Sequence, residues 1–340
     1  MVPRLTIAIP TYNRAARLRA QLARLAPQLG PEVRCCVYDN GSTDDTPQVT
    51  ATFAAQGVSV FRNATNLGAE HNLFRCFEEC ETDWLWVLGD DDPAEPTAVG
   101  TILQLTNRGD LDFLHLSTTT HGHAQAVEVT DPLTLLDRTS PAALNFISLS
   151  VYNMRAFRPL LPGLLEQIST MVAQMTMILR LFESGRARGL LSPTAVVSAP
   201  TGAPRWSTLR WVLGMSLALE FTRDERLQRR LAAILVVENF NWAFLCGLRE
   251  AADNAGRRRW KRIYSKASSN YAAHVRFARL KYVLGNFYKA GRRKTCWFMF
   301  IDGLLLSFLR WSPLFVLAWL RPGICRRMEP SAPADDKPRQ

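Results

Sequence analysis

A chain of 340 residues with 47% hydrophobic and 21% charged residues has enough apolar material to bury a core, which excludes a disordered chain and allows one large α/β domain with additions or two modest domains. The formal charge of +11 is unevenly placed: residues 1–150 hold 10 Lys and Arg against 18 Asp and Glu, a net of −8, so the remainder carries +19. Seven cysteines, an odd number with no CxxC pair and no zinc-like His spacing, exclude a disulfide framework and a zinc knuckle.

In chain order, Leu5-Thr6-Ile7-Ala8-Ile9 is a β-branched apolar run that stops at the polar turn Pro10-Thr11-Tyr12-Asn13. With a strand starting so early there is no room for a secretory leader, and the expected setting is reduced and cytosolic, where the sequon-like Asn63-Ala64-Thr65 carries no glycan. Leu18, Leu22, Leu25 and Leu29 mark one face of a helix that Gly30-Pro31 ends. Val33 to Tyr38 is a second strand, closed by the polar loop Asp39 to Asp45, in which Ser or Asp side chains are candidates to cap the next helix. Val58 to Phe61 is a third strand, and Asn66-Leu67-Gly68 leads into a helix through Asn72, Phe74 and Phe77. This alternation predicts a doubly wound, mostly parallel sheet, with three polar loops converging at one carboxyl edge.

The chain is organised around Trp84-Leu85-Trp86-Val87-Leu88-Gly89-Asp90-Asp91-Asp92, a buried strand that stops at three carboxylates. Like charges in a row repel, and the strand itself offers no cation. A hard divalent ion, Mg²⁺ or Mn²⁺, completed by substrate phosphates, is the expected remedy; an acidic turn before Pro93 and Pro96 is the plainer alternative.

Four segments in order, Ile9-Pro10-Thr11-Tyr12-Asn13-Arg14, Asp39-Asn40-Gly41-Ser42-Thr43-Asp44, Asn66-Leu67-Gly68 with Asn72, and Gly89-Asp90-Asp91-Asp92, resemble the signatures of family 2 glycosyltransferases of the GT-A fold. The resemblance covers about residues 4–110. It implies an acidic motif of the DXD type and a nucleotide pocket lined by Pro10, Thr11 and Tyr12, with Asp39, Asn66 and Gly68 in the flanking loops. Asn40 stands where the family often has Asp; its amide is expected to accept from or donate to the base, which leaves the base unassigned. His71 precedes Asn72 where Arg is common, so either a contact to base or phosphate or a plain helix position is open to it. Gly89 occupies a place often held by Asp. By resemblance Asp90 faces the ribose, Asp91 is the leading metal ligand and Asp92 its auxiliary.

Further on, Phe113 to Ser117 predicts a strand, and His121 and His123 form a His-x-His pair without a third metal ligand nearby. Asn145 to Asn153 predicts a strand entering the acceptor part, followed by a helical stretch with Glu166, the apolar-rich Ile168 to Phe182, and a strand from Leu190 to Val197. An inverting transferase needs a carboxylate to take the acceptor proton; among Asp131, Asp137, Glu166 and Glu183 the choice is Glu166, placed at the opening of the helix flanking the acceptor cleft, with a solvent-facing helix residue as the plain alternative. Ala199 to Trp206 is either a connector or a lid bringing Arg205 and Trp206 over the donor.

Residues 211–250 are expected to be mainly helical. From Gly256 to Lys294 there are 13 basic residues and no acidic one, interleaved with aromatics, and Cys296 to Leu320 is the most apolar region. Asp302, Arg310 and Pro313 interrupt it, so it lacks the roughly 18 uncharged residues of a spanning helix and suits helices lying in an anionic membrane surface, or a buried pair.

The expected organisation is a GT-A catalytic domain over 1–210 (nucleotide half 1–115, acceptor half 116–210), a helical basic region over 211–295, an apolar membrane-associating segment over 296–325 and a disordered tail over 326–340. The expected function is inverting sugar transfer from a nucleoside diphosphate sugar to an acceptor hydroxyl, assisted by a divalent cation as cofactor. A lipid-linked glycan of cell-surface polysaccharide synthesis is the expected acceptor, at the inner face of the plasma membrane and without nucleic acid. The rivals are a sugar nucleotidyltransferase, whose Gly-rich loop after the first strand is missing, and a non-catalytic membrane or nucleic-acid adaptor.

Overall fold

The computed structural model describes residues 2–198, 214–215, 218 and 221–233. The expected lid at Ala199 to Trp206, the basic segment, the apolar segment and the tail lie outside the described residues.

Strands β1 (Leu5–Thr11), β2 (Val33–Asp39), β3 (Val58–Arg62) and β4 (Trp84–Val87) pair in parallel in the order β3-β2-β1-β4. The inner strands β1 and β4 are buried along almost their whole length because both faces are covered, whereas the edge strand β3 is half exposed. Leu5, Ile7, Ile9, Cys35, Val37, Trp84 and Trp86 pack on one side with Leu18, Leu22 and Leu25 of helix α1 (Ala15–Leu25), Val49 and Phe53 of α2 (Thr46–Phe53) and Ile102 of α4 (Ala98–Thr106). Ala8, Cys36, Tyr38, Leu85 and Val87 face the other side, against Cys76 and Phe77 of α3 (Ala69–Glu78). Side chains change face at every residue of a strand, so each strand feeds two cores.

The sheet continues through β7 (Ser150–Asn153), β5 (Phe113–Thr118), β8 (Gly189–Val197) and β6 (Val127–Val129), giving eight strands. Here the expectation of a mostly parallel sheet holds with two exceptions: β7 runs antiparallel between β4 and β5, and β6 runs antiparallel along β8. The strand expected over Asn145 to Asn153 begins only at Ser150, because Ile147–Leu149 forms a 3₁₀ turn. That turn places Ser148 under β4, where Trp86 Nε1 donates to its carbonyl (2.9 Å), the partner a buried indole N–H requires. Further helices among the described residues include α5 (Pro132–Arg138), α6 (Pro141–Leu144), α7 (Met154–Phe157), α8 (Leu161–Glu166), α9 (Ala173–Glu183) and α10 (Glu225–Ala233). Leu164 of α8 and the apolar face of α9 join the core on the α3 side.

Candidate functional site

The loops after β1, β2 and β4 meet at the carboxyl edge of the sheet, and the first two are laced together. Ser42 Oγ accepts the Asn13 N–H (2.9 Å), Asn13 Oδ1 accepts that of Thr43 (2.7 Å), and Asp44 Oδ2 accepts that of Ala15 (3.1 Å). Asp44 thus covers one of the unsatisfied donors at the start of α1 and, through Oδ1, the Thr46 N–H of α2 (3.0 Å). Gly41 takes φ +79°, and a Cβ there would lie 2.9 Å from the Thr65 carbonyl carbon, so only glycine lets the second loop lie against the segment before α3.

These loops open onto a cleft of ≈ 460 Å³. One wall carries Pro10, Thr11, Tyr12, Asn40, Asn66, Gly68 and Asp90, seven of the residues expected in the nucleotide pocket, with Arg14, Glu70 and Asn72. The other wall is apolar, made by Leu73 and Phe74 of α3, Leu164 of α8, and Ile147, Ile168 and Met171. Such a pairing of apolar surface with a few convergent polar groups is the usual make-up of a small-molecule site.

The acidic run finds its cations inside the protein. Arg14 Nη1 lies 2.7 Å from Asp90 Oδ1 and 3.1 Å from Asp91 Oδ2, and Arg17 Nη1 lies 2.5 Å from the same Asp91 oxygen. The sequence expectation of uncompensated repulsion is therefore corrected: Arg14 at the N-cap of α1 and Arg17 in its first turn, both remote in sequence, supply two guanidinium groups. Thr11 Oγ1 donates to Asp90 Oδ2 (2.6 Å), and burial still pushes the Asp90 carboxyl above its ordinary range despite that bond and Arg14. Asp92 turns inward. Its Oδ2 accepts from Ser148 Oγ (2.6 Å), which in turn accepts the Gly89 N–H (2.9 Å), and burial pushes its pKa up to about 6 against the lowering effect of the Ser148 bond. A Cβ at Gly89 would lie 2.5 Å from Asp92 Oδ2, which explains why no side chain occupies that position.

Gln21, buried on α1, holds the acidic turn from below. Its Nε2 donates to Gly89 O (3.0 Å) and Asp92 O (2.7 Å), and its Oε1 accepts the Ala94 N–H (3.0 Å). Arg14 stood in the first motif without a role, and Arg17, Gln21 and Ser148 were missed by motif reading. The signal for the first three was their spacing of three and four residues, which aligns them along α1 beside its leucine stripe.

Other expected site residues lie elsewhere. Asp39 is 1% exposed and outside the cleft lining, its carboxylate spent on the Ser42 N–H (2.9 Å) and on Arg62 (3.1 Å). His71 is exposed on α3, outside the lining, and Asp91 and Asp92 also fall outside it. Glu166 ends α8 instead of opening a helix, and it is exposed while its neighbours Leu164 and Ile168 face the cleft. Asp131 caps α5, Asp137 pairs with Arg230, and Glu183 accepts the N–H groups of Arg223 and Asp224. The carboxylates that line the cleft are Asp90 and Glu70.

The His-x-His pair does not share a site: His121 bonds Thr120 Oγ1 (2.7 Å), while His123 Nε2 meets Nδ1 of the buried His115 (2.8 Å). Among the described residues no group of three or more His, Cys, Asp or Glu could hold a metal ion by itself, and no helix is long and apolar enough to cross a membrane.

A sheet of this order with its polar cleft at the carboxyl ends of β1, β2 and β4 defines the GT-A class of α/β fold. Residues 6–160 match the family model for glycosyl transferase family 2. It is 30% identical over 112 residues to an uncharacterized glycosyltransferase of Haemophilus influenzae, covering 33% of this chain and 37% of that protein. It is 28% identical over 118 residues to an uncharacterized glycosyltransferase of Mycoplasma pneumoniae, covering 33% and 39%. These matches thus span little more than a third of either relative. Among solved structures, S. aureus TarS superposes with a TM-score of 0.65 at 16% identity over 85% of this chain and 53% of TarS. TarS 1–349 in complex with UDP-GlcNAc gives 0.62 at 16% identity over 86% and 93%. At such identities the likeness is one of fold.

Proposed function

We propose that the protein transfers a sugar from a nucleoside diphosphate sugar to an acceptor hydroxyl with inversion. The observation that carries this reading is the seating of a family 2 glycosyltransferase domain's polar loops, Pro10 to Tyr12, Asn40, Asn66 to Gly68 and Asp90, around one cleft. The UDP-GlcNAc complex of TarS, a protein of the same fold, supports a sugar nucleotide as the occupant.

In this reading Asp90, fixed by Thr11 and Arg14, meets the ribose hydroxyls as an acceptor. Arg14 and Arg17 supply positive charge beside the diphosphate. Their pairs with the half-exposed Asp91 are worth about 0–1 kcal/mol at such exposure, so they can be exchanged for a stronger anion. Asp91 is the carboxylate that suits a divalent cation, since ions of the Mg²⁺ type take one or two protein carboxylates and complete their shell with phosphates and water. Asp92, turned toward Ser148, supports the turn instead of joining the ion. When bound, the cation supplies Lewis-acid stabilisation of the leaving diphosphate. The acceptor oxygen bonds to the anomeric carbon as the bond to the diphosphate breaks, and a general base takes the hydroxyl proton; no enzyme nucleophile is needed for a single displacement.

The apolar wall of Leu73, Phe74, Leu164 and Ile168 fits an acceptor with an apolar part, and a lipid-linked glycan acceptor follows from it together with the basic and apolar C-terminal segments. Those segments underlie a peripheral position on the inner face of the plasma membrane. Titration with UDP, dTDP, GDP and CDP, each with and without Mn²⁺, beside Asp91→Ala, tests the reading. Metal-dependent binding of a diphosphate that the variant loses is expected. Absence of binding by the unaltered protein would sink it in favour of a membrane adaptor.

A further inference from the structure

The two arginines beside the acidic run are tethered unequally. Arg14, at the N-cap of α1, lines the cleft and lies 2.7 Å from Oδ1 of Asp90, whose side chain is 3% exposed and also accepts from Thr11. An anchor buried that deeply keeps Arg14 in place. Arg17, three residues along the helix, has a side chain 39% exposed, and its guanidinium has Asp91 as its sole partner among the described residues. Both guanidinium groups meet one oxygen, Asp91 Oδ2, at 3.1 Å from Arg14 and 2.5 Å from Arg17.

Charge at this corner of the cleft balances within the protein. Two carboxylates, Asp90 and Asp91, stand against two guanidinium groups, and Asp92 is turned away onto Ser148. Against a divalent cation arriving alone, Asp91 Oδ2 is already engaged by two positive groups, and like charges so close together repel. Against a diphosphate arriving alone, the arginines are still paired with Asp91, a carboxylate of the ligand's own sign. The two ligands together remove both obstacles: phosphate oxygens take the Arg17 guanidinium through charge-assisted hydrogen bonds, and Asp91 Oδ2 is left for the cation. Half-exposed ion pairs are weak enough to be exchanged in this way.

Resting on the transferase reading, we infer that Arg17 is a latch on Asp91. In the nucleotide-free protein it occupies the oxygen that the cation needs, and it lets go only when a diphosphate takes its guanidinium; Arg14, anchored on Asp90, stays. Cation and donor therefore enter as a coupled pair, and by linkage each raises the affinity of the other by the same factor. Arg17 is a positioning residue, which acts on the cation only through Asp91.

Titration of the full-length chain with Mn²⁺ alone, followed by loss of the electron paramagnetic resonance signal of the free ion, tests the latch without any turnover. The unaltered chain is expected to bind Mn²⁺ at least about tenfold more weakly alone than beside whichever of UDP, dTDP, GDP and CDP it binds. Arg17→Gln is expected to bind Mn²⁺ alone about five- to tenfold more tightly than the unaltered chain, the scale of an ion pair removed together with its positive charge. The same variant is expected to bind the diphosphate about tenfold more weakly in the presence of Mn²⁺, since a charge-assisted bond is lost, with an unchanged melting temperature. Arg17→Lys keeps the charge and is expected to restore the weak binding of Mn²⁺ alone. Adding Asp91→Ala to Arg17→Gln is expected to abolish it. An Arg17→Gln chain that binds Mn²⁺ alone no better than the parent, Mn²⁺ binding that survives the added Asp91→Ala, or equal Mn²⁺ affinity of the unaltered chain with and without the diphosphate overturns the latch, while diphosphate binding leaves the transferase reading standing. Failure of the unaltered chain to bind any of the four diphosphates, with or without Mn²⁺, overturns both.

Discussion

Replacing Gln21 by leucine removes the support of the acidic turn while nearly preserving the shape of the buried side chain. Three hydrogen bonds disappear, to Gly89 O, Asp92 O and the Ala94 N–H. Gly89 O keeps a bond from the Asp92 N–H (3.3 Å), so the groups left without a partner are Asp92 O and Ala94 N–H. A buried polar group stripped of its partner costs about 1–3 kcal/mol, and the apolar gain of the leucine returns roughly 1–2 kcal/mol. The expected net loss is about 3 kcal/mol, or a fall in melting temperature on the order of 10 °C for a domain of this size. Thermal unfolding followed by circular dichroism measures it, and nucleotide titration of the folded variant shows whether the carboxylates have shifted. Gln21→Glu sharpens the test. It keeps the acceptor for Ala94 but turns an oxygen toward the carbonyls of Gly89 and Asp92, so it destabilises at neutral pH and recovers in acid as the new carboxyl protonates and donates. A leucine variant within about 1 kcal/mol of the parent chain would refute the assignment of Gln21 as the turn's support.

Asp92→Asn is expected to change the pH dependence of stability. Because the folded pKa is raised to about 6, the folded state holds the proton more tightly than the unfolded chain; the parent therefore loses stability as pH rises from about 4 to 6, by roughly 3 kcal/mol at most, and the amide removes that slope. Denaturation midpoints across this range measure it, and an unchanged slope would count against a buried carboxylate at this position. His115 has the opposite sign. Burial pushes its pKa down to about 4, so its contribution is complete above about 6.5 and is lost as pH falls toward 4; ring resonances in an NMR titration are expected to stay those of neutral imidazole until about pH 4. Glu166→Gln is expected to leave turnover of sugar nucleotide within about twofold, because the exposed carboxylate lies outside the cleft lining; a loss of 10²-fold or more would restore it as general base.

The parallel half of the fold was legible along the chain because its signals are local. The unalternating runs at Leu5 to Ile9, Val33 to Tyr38 and Trp84 to Leu88 report burial on two faces, and the polar loops that end them identify the working edge of the sheet. The leucine stripe of α1 was equally plain, although Leu29 falls beyond the helix end at Leu25. Less could be read where pairing is remote. That β7 inserts antiparallel between β4 and β5 depends on which strand edges are free after the first four have paired, and β6 is too short for periodicity to mark.

For the site, the residue types and order of Pro10 to Tyr12, Asn66 to Gly68 and Asp90 were enough to locate the cleft. What each side chain has left to give was settled by tertiary structure alone. Asn40 is saturated because Asn63 and Leu67 come within 3.0 Å of it; Asp39 is taken by Ser42 and Arg62; Asp91 meets two arginines from a helix more than seventy residues earlier. Burial and turn chemistry are encoded in neighbouring residues, and a sequence displays them directly. Hydrogen bonds and ion pairs depend on distances of about 3 Å between groups far apart in the chain, and those distances exist only once the loops have been brought to one edge of the sheet.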